Sequence, residues 1–382
     1  MRKILCCFTF FAVLFCTATP CSAAFQAENS TSAAAYVVMD AVSRRVLYES
    51  NSHLKLPMAS TTKIMSALLC LESGGLDSAF TVDSEAIKAE GSSMGLTEGD
   101  IVTKRTLCYG MLLPSGNDAA GAAAVEIAGS YENFAQLMNE RAAVIGMEDT
   151  NFVTPSGLHD DAHYSTAYDM GLLTAEALEN EDFRTICSQT SAEVEFGNPP
   201  FKRWLKNTNK LLTLCDGVIG VKTGFTDEAG RCLVSACQRG EITLICVTLN
   251  DKNDWQDHAD LYDEAFSAAE AEYAPMPSDI KLPVAGSSIS SVPLYAKENV
   301  VCCRLASEVN ASEIRWEAEA APFLFAPVKK DSIQGYLVHY IGEYEISRQP
   351  LFAACDAEYA EVKKESTNIF EDIRERLLKL LS

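Results

Sequence analysis

Ser60 and Lys63 stand three residues apart in the stretch Pro57-Met58-Ala59-Ser60-Thr61-Thr62-Lys63. On a helix that spacing stacks both side chains on one face. A serine hydroxyl becomes a nucleophile when a base takes its proton, and a lysine amine is such a base once its pKa is depressed. Desolvation, or a second cation nearby, supplies the depression. Pro57 suits the approach to a helix start, and the apolar run Ile64 to Leu69 carries the helix inward. Ser60 is therefore expected near a helix N-terminus, where free backbone N–H groups can stabilise an oxyanion. Taken alone, the pair also reads as a helix cap followed by a surface lysine. Two later stretches weigh against that: Ser115-Gly116-Asn117 and Lys222-Thr223-Gly224.

S-x-x-K, S-D-N and K-T-G are the set shared by penicillin-binding proteins and class A β-lactamases. All three occur here in that order, with S-G-N in the middle place. Longer blocks narrow the match: PMASTTKIMSA from Pro57, MLLPSGNDAA from Met111, PSGLHDDAHYSTAYDM from Pro155 and KTGFTDEAGRCLVS from Lys222. With these the chain resembles the serine-type D-alanyl-D-alanine carboxypeptidases, the low-molecular-mass penicillin-binding proteins, continuously from about Ala35 to Phe266.

The resemblance implies a substrate ending in D-Ala-D-Ala, as in the stem peptide of peptidoglycan. It implies acylation by β-lactam antibiotics, which act as inhibitors. Ser60 attacks the penultimate carbonyl, Lys63 is the base, and Ser115 with its neighbours protonates the leaving D-alanine. The backbone N–H groups of Ser60 and Phe225 form the oxyanion hole. Asn117 holds the substrate amide, Lys222 supplies positive potential and Thr223 binds the terminal carboxylate. Gly224 lets substrate approach the backbone. Family members often add an arginine for that carboxylate. The nearest cation here is Lys252, in Asn250-Asp251-Lys252-Asn253, and the match is poor. No cofactor and no metal is implied. Three other readings share these motifs. A class A β-lactamase adds a deacylating glutamate, for which no block matches. A transpeptidase replaces water by an amine acceptor. A non-catalytic binder is opposed by the intact motif side chains.

The elements needed to position these groups are legible around them. Tyr36 to Met39 and Val46 to Tyr48 read as two strands joined by a turn through Asp40 to Arg44. Lys104 to Leu113 reads as a helix stopped by Pro114. Ser115 and Asn117 then fall on a loop, and Asp118 opens an Ala-rich helix through Ala128. Val218 to Gly224, Cys232 to Ala236 and Ile242 to Asn250 read as strands, and Asp257 to Glu272 as a helix. Strands at both sequence ends with helices between predict an α/β (α+β) sandwich, β-lactamase/transpeptidase-like, with a mainly antiparallel sheet.

From Pro275 the pattern changes to short alternating strands: Ser291 to Tyr295, Val300 to Leu305, Ile314 to Glu319, Tyr336 to Tyr340 and Tyr344 to Ser347. The expected divisions are a signal peptide (1–24), the penicillin-binding domain (25–273), a small β-rich domain (274–362) and an amphipathic helix (363–382). That helix starts at Asn368 as cap. Ile369, Phe370, Ile373, Leu377, Leu380 and Leu381 share one face, which suits an in-plane contact with a membrane surface.

His53 lacks a matching acidic motif and reads as a surface residue. His159 and His163 have the spacing of a metal pair on a helix, but Gly157, Asp160 and Asp161 favour a loop.

The chain has 382 residues and a formal net charge of -22, which argues against nucleic-acid binding, since that needs a basic face. Arg2 and Lys3, the apolar run Ile4 to Phe15 and the small residues Cys21 to Ala24 read as an export signal. The protein is thus expected outside the cytoplasm, on the outer face of the cytoplasmic membrane or in the cell wall. Of 14 cysteines, four lie in that signal. Cys70, Cys215, Cys232, Cys237 and Cys246 sit in or beside apolar runs and read as small buried hydrophobes.

Overall fold

The structure is a computed structural model that describes residues 31–305, 314–341, 344–360 and 369–380. The expected signal segment and the cap Asn368 lie outside the described residues.

Strands β1 (Ala35–Asp40), β2 (Val46–Ser50), β7 (Val218–Thr226), β8 (Gly230–Arg239) and β9 (Ile242–Leu249) make one antiparallel sheet in the order β2-β1-β9-β8-β7. It joins both ends of the catalytic region. Because side chains alternate across a strand, Val37, Met39, Val234, Ile245 and Val247 face one core. Val38, Leu233, Leu244 and Cys246 face a second. Both faces are covered, so β1 and β9 read as nearly unbroken apolar runs.

The first core is roofed by α1 (Lys63–Glu72), α2 (Lys104–Leu112), α3 (Asn117–Ala128), α4 (Tyr131–Ile145), α5 (Ala167–Glu179) and α6 (Glu181–Cys187). Thr103 caps α2 by accepting from the Thr106 N–H, and the helix ends just ahead of Pro114. Helix α3 begins at Asn117 rather than after it. Its run of alanines, buried from Ala119 to Ala124, lets it lie deep in the core. A side sheet of β3 (Ala79–Thr81), β4 (Ile101–Thr103), β5 (Ser191–Gly197) and β6 (Pro200–Lys206) flanks the helices. A one-turn helix α7 (Leu211–Leu214) leads into β7.

The second core is covered by α8 (Asp254–Ala268), and here the structure departs from the expected helix over Asp257 to Glu272. Ala269–Tyr273 forms strand β10 and pairs antiparallel with β13 (Val301–Leu305). The alternation Ala-Glu-Ala-Glu-Tyr suits a strand, and the pairing of Ala269 with Leu305 through Tyr273 with Val301 decides it. Cys303 and Leu305 of β13 then pack into the catalytic region beside Leu244, Leu261 and Tyr262.

The remaining C-terminal strands are β11 (Lys281–Ala285), β12 (Ser291–Tyr295), β14 (Ile314–Ala320), β15 (Leu324–Phe325), β16 (Ile333–Ile341) and β17 (Tyr344–Ala353). They form a six-stranded sheet around Val292, Leu294, Leu337 and Leu351. Helix α9 (Ile369–Leu380) follows. Its described side chains, 373–380, are all exposed, with Ile373 at 48%, Leu377 at 55% and Leu380 at 81%. Among the described residues no helix is long and apolar enough to cross a membrane.

Candidate active site

The Ser60 segment is a 3-10 turn, Ala59–Thr62, that runs directly into α1. The Thr61 hydroxyl donates to Met58 O at 2.6 Å and the Thr62 hydroxyl to Ala59 O at 2.8 Å. Ala59 has a φ of 48°, a left-handed conformation that costs an alanine about 1–2 kcal/mol. The strain is held by packing from two sides. A Cβ on Gly224 would lie 2.9 Å from Met58 O and 3.1 Å from Thr61 N, and one on Gly157 would lie 1.9 Å from Ala59 O. A Cβ at Gly224 would thus run into the turn that carries Ser60.

Lys63 is fully buried at the head of α1. Its Nζ lies 2.9 Å from Ser60 Oγ, 2.6 Å from Asn117 Oδ1 and 2.7 Å from Ser156 O. The Asn117 amide group donates to Glu90 O, which fixes its oxygen toward Lys63. Asn117 Oδ1 and Ser156 O are acceptors with no proton to give. A neutral amine that gives its two N–H groups to them would turn its lone pair toward Ser60. Burial, and next the charge of Lys222, hold the Lys63 pKa well below the usual lysine value. Among the described residues no carboxylate hydrogen-bonds to either Ser60 or Lys63.

Ser115 is buried with a φ of 66°, in the short link between α2 and α3. The link is tied down by Gly116 N–H to Gly110 O at 2.8 Å and Asn117 N–H to Ser92 O at 2.7 Å. The Asp118 carboxylate accepts the N–H groups of Met94, Gly95 and Leu96 and so pins the preceding loop over the site. On the opposite wall, β7 carries Lys222, Thr223 and Gly224. Lys222 is buried, donates to Thr223 O at 2.8 Å, and is pushed down to about 7 by loss of solvent.

Thr208 closes the circuit, and sequence reasoning missed it. Its N–H donates to Leu113 O at 3.0 Å, two residues before Ser115, and its hydroxyl lies 2.8 Å from Thr223 Oγ1. The flanking Asn207 and Asn209 are buried and cap the turn: Asn207 donates to Gln189 O, and Asn209 Oδ1 accepts from Leu211 N–H. Ser60, Thr223 and Thr208 reach solvent, while Lys63, Ser115, Asn117 and Lys222 stand behind them.

The other singled-out residues lie apart from this ring. Lys252 is exposed beyond the end of β9, two strands removed from β7, and its N–H donates to Ser32 Oγ. His53 is exposed, with its ring 4.7 Å from that of Tyr168. His159 reaches Asp161 at 3.4 Å on the surface. His163 is buried and turned inward onto Thr62 at 2.8 Å.

The family model described as D-alanyl-D-alanine carboxypeptidase matches residues 22–253. The D-alanyl-D-alanine carboxypeptidase DacF of Bacillus subtilis is 32% identical over 343 residues, covering 85% of this chain and 87% of that protein. Penicillin-binding protein 5 of Haemophilus influenzae superposes with a TM-score of 0.63 at 26% identity, over 87% of this chain and 100% of that one. The Streptomyces K15 DD-transpeptidase superposes at 0.60 with 30% identity, over 63% of this chain and 99% of its own. A serine turn, a buried lysine and a K-T-G strand in this geometry, together with that match over more than half its length, place the chain in the serine-type D-alanyl-D-alanine carboxypeptidase family.

Proposed function

We propose that Ser60 is the nucleophile and Lys63 the base by which this carboxypeptidase removes the terminal D-alanine from peptidoglycan stem peptides. The observation that carries the assignment is the Lys63 amine, whose two other neighbours only accept. The Ser60 proton passes to Nζ as its oxygen bonds the penultimate carbonyl carbon. Charge on the carbonyl oxygen falls to the N–H groups of Ser60 and Phe225. The C–N bond breaks, and the proton returns through Ser115 to the leaving amine. Water then opens the ester by the same steps in reverse. Asn117 orients Lys63 and faces the substrate amide, and Lys222 in its protonated form makes the potential positive. The direct test is incubation with a pentapeptide ending in D-Ala-D-Ala. Free D-alanine is expected. A cross-linked dimer in its place would move the reading to transpeptidase, and an inert peptide would remove it.

Carboxylate recognition falls to Thr223 with Thr208 in this reading. Lys206 and Lys210 flank Thr208, exposed and without a partner among the described residues. A hydrogen bond to a charged group contributes roughly 1.5–3 kcal/mol, so Thr208→Val should lower kcat/KM about tenfold to a hundredfold. The same peptide ended by a carboxamide should be equally poor with both enzymes. A loss of equal size on both peptides would show that Thr208 does not see the carboxylate.

The divisions at 25–273, 274–362 and 363–382 follow the change of pattern, although β10 and β13 stitch the first boundary. The exposed apolar side chains of α9 support contact with the membrane surface, on the outer side of the cytoplasmic membrane. In flotation with liposomes the mature protein should rise with the vesicles, and a form ending before Asn368 should stay behind. Equal binding by both would rule the anchor out.

A further inference from the structure

His163 is a buried titratable group that the steps above do not use. Its Nδ1 accepts from the N–H of Val153 at 2.9 Å and of Thr154 at 3.2 Å. An Nδ1 facing two donors carries no proton, so the proton sits on Nε2. From there it is donated to Thr62 Oγ1 at 2.8 Å, and the Thr62 hydroxyl passes its own proton on to Ala59 O. Burial, the first cause, lowers the imidazole to about 4, against the opposing pull of Asp160 and with the help of His159. The ring is therefore neutral at neutral pH.

Its two ends hold two different parts of the site. Thr62 lies between Ser60 and Lys63 on the nucleophile turn. Val153 and Thr154 open the segment whose Ser156 O accepts from Lys63 and whose Gly157 seats against Ala59. One flat ring thus spans from the turn that carries the hydroxyl to the loop that orients the amine. We infer that neutral His163 is a positioning residue for acylation, fixing the approach of Ser60 to Lys63 by holding Thr62 at one ring nitrogen and the 153–157 segment at the other. The inference rests on the assignment of Ser60 and Lys63 above.

The test measures acylation by benzylpenicillin, and kcat and KM on the D-Ala-D-Ala peptide, for three variants. His163→Phe keeps the bulk and loses both ends. His163→Asn keeps an acceptor for the loop and loses Thr62. His163→Gln regains a donor to Thr62. Small misplacements of reacting groups cost up to roughly a hundredfold, so His163→Phe should slow acylation by that order. KM should stay within about twofold, since the carboxylate seat is on the far wall. Gln should recover more of the rate than Asn. Should the Phe variant fail to fold, the double-mutant cycle decides: His163→Asn with Thr62→Val should cost no more than Thr62→Val alone, because that change already removes the hydrogen bond lost in His163→Asn, together with the one to Ala59 O. Nitrogen-15 spectra of the wild type should show a bare Nδ1 and a protonated Nε2 at neutral pH. The reverse tautomer, additive losses in the cycle or a change confined to KM would overturn the inference. A wild type that is not acylated at Ser60 would instead remove the reading on which it rests.

Discussion

Mixed with benzylpenicillin, the intact protein should gain the mass of one ring-opened drug, and peptide mapping should place that mass on Ser60. The strained lactam amide sits where the peptide carbonyl would. Ser60 attack opens the ring, but the leaving nitrogen stays tethered to the acyl group and obstructs water. No carboxylate stands on Ser60 or Lys63 among the described residues to activate a deacylating water, so the adduct should outlast the peptide ester by far. Removing the nucleophile of such a unit costs roughly a millionfold in a serine protease. Ser60→Ala should therefore carry no adduct at all. A label on another residue, or none while D-alanine release is measurable, would overturn the assignment. Rapid turnover to free penicilloate would identify a β-lactamase.

The second large effect belongs to Lys63→Arg. The site asks for an amine that can lose its proton, and burial with Lys222 nearby already favours the neutral form. A guanidinium stays charged at any working pH. It has no lone pair to offer Ser60, and its fork does not fit acceptors placed for a single nitrogen. A positioned general base contributes roughly 10²–10⁴-fold, so acylation should fall by at least that much. Circular dichroism and the melting temperature show whether the fold survives. A well-folded variant that still acylates at a near-normal rate would take the base role from Lys63.

How far these groups can be read from sequence depends on whether the information is local. Ser60, Lys63, Asn117 and Lys222 carry spaced signals, and the strands and helices around them follow from period and punctuation, as with Pro114 ending α2. The hairpin of β5 and β6 was also open to view: Ala192, Val194 and Phe196 alternate with Glu193 and Glu195. Other parts leave no local trace. The third neighbour of Lys63 is the backbone oxygen of Ser156, which any residue would carry. Thr208 is a threonine in a polar turn until the chain folds its hydroxyl against Thr223. His163 offers the right spacing for a metal, and the fold spends both nitrogens elsewhere. Gly224 belongs to a local motif, but the crowding that a Cβ would meet there, 2.9 Å from Met58 O, comes from a segment far away in sequence.

The pairing of β10 with β13 bears on how the protein reaches this state. Cys303 and Leu305 complete the packing of α8 against the main sheet. A chain emerging in order has its three motifs by Gly224, yet that core lacks two of its buried members, Cys303 and Leu305, until β13 has appeared. Domains fold as units during synthesis, N-terminal parts first. Here the unit that must close is longer than the one that performs catalysis. The nascent chain therefore leaves part of that apolar core uncovered until a strand well beyond its last motif has emerged.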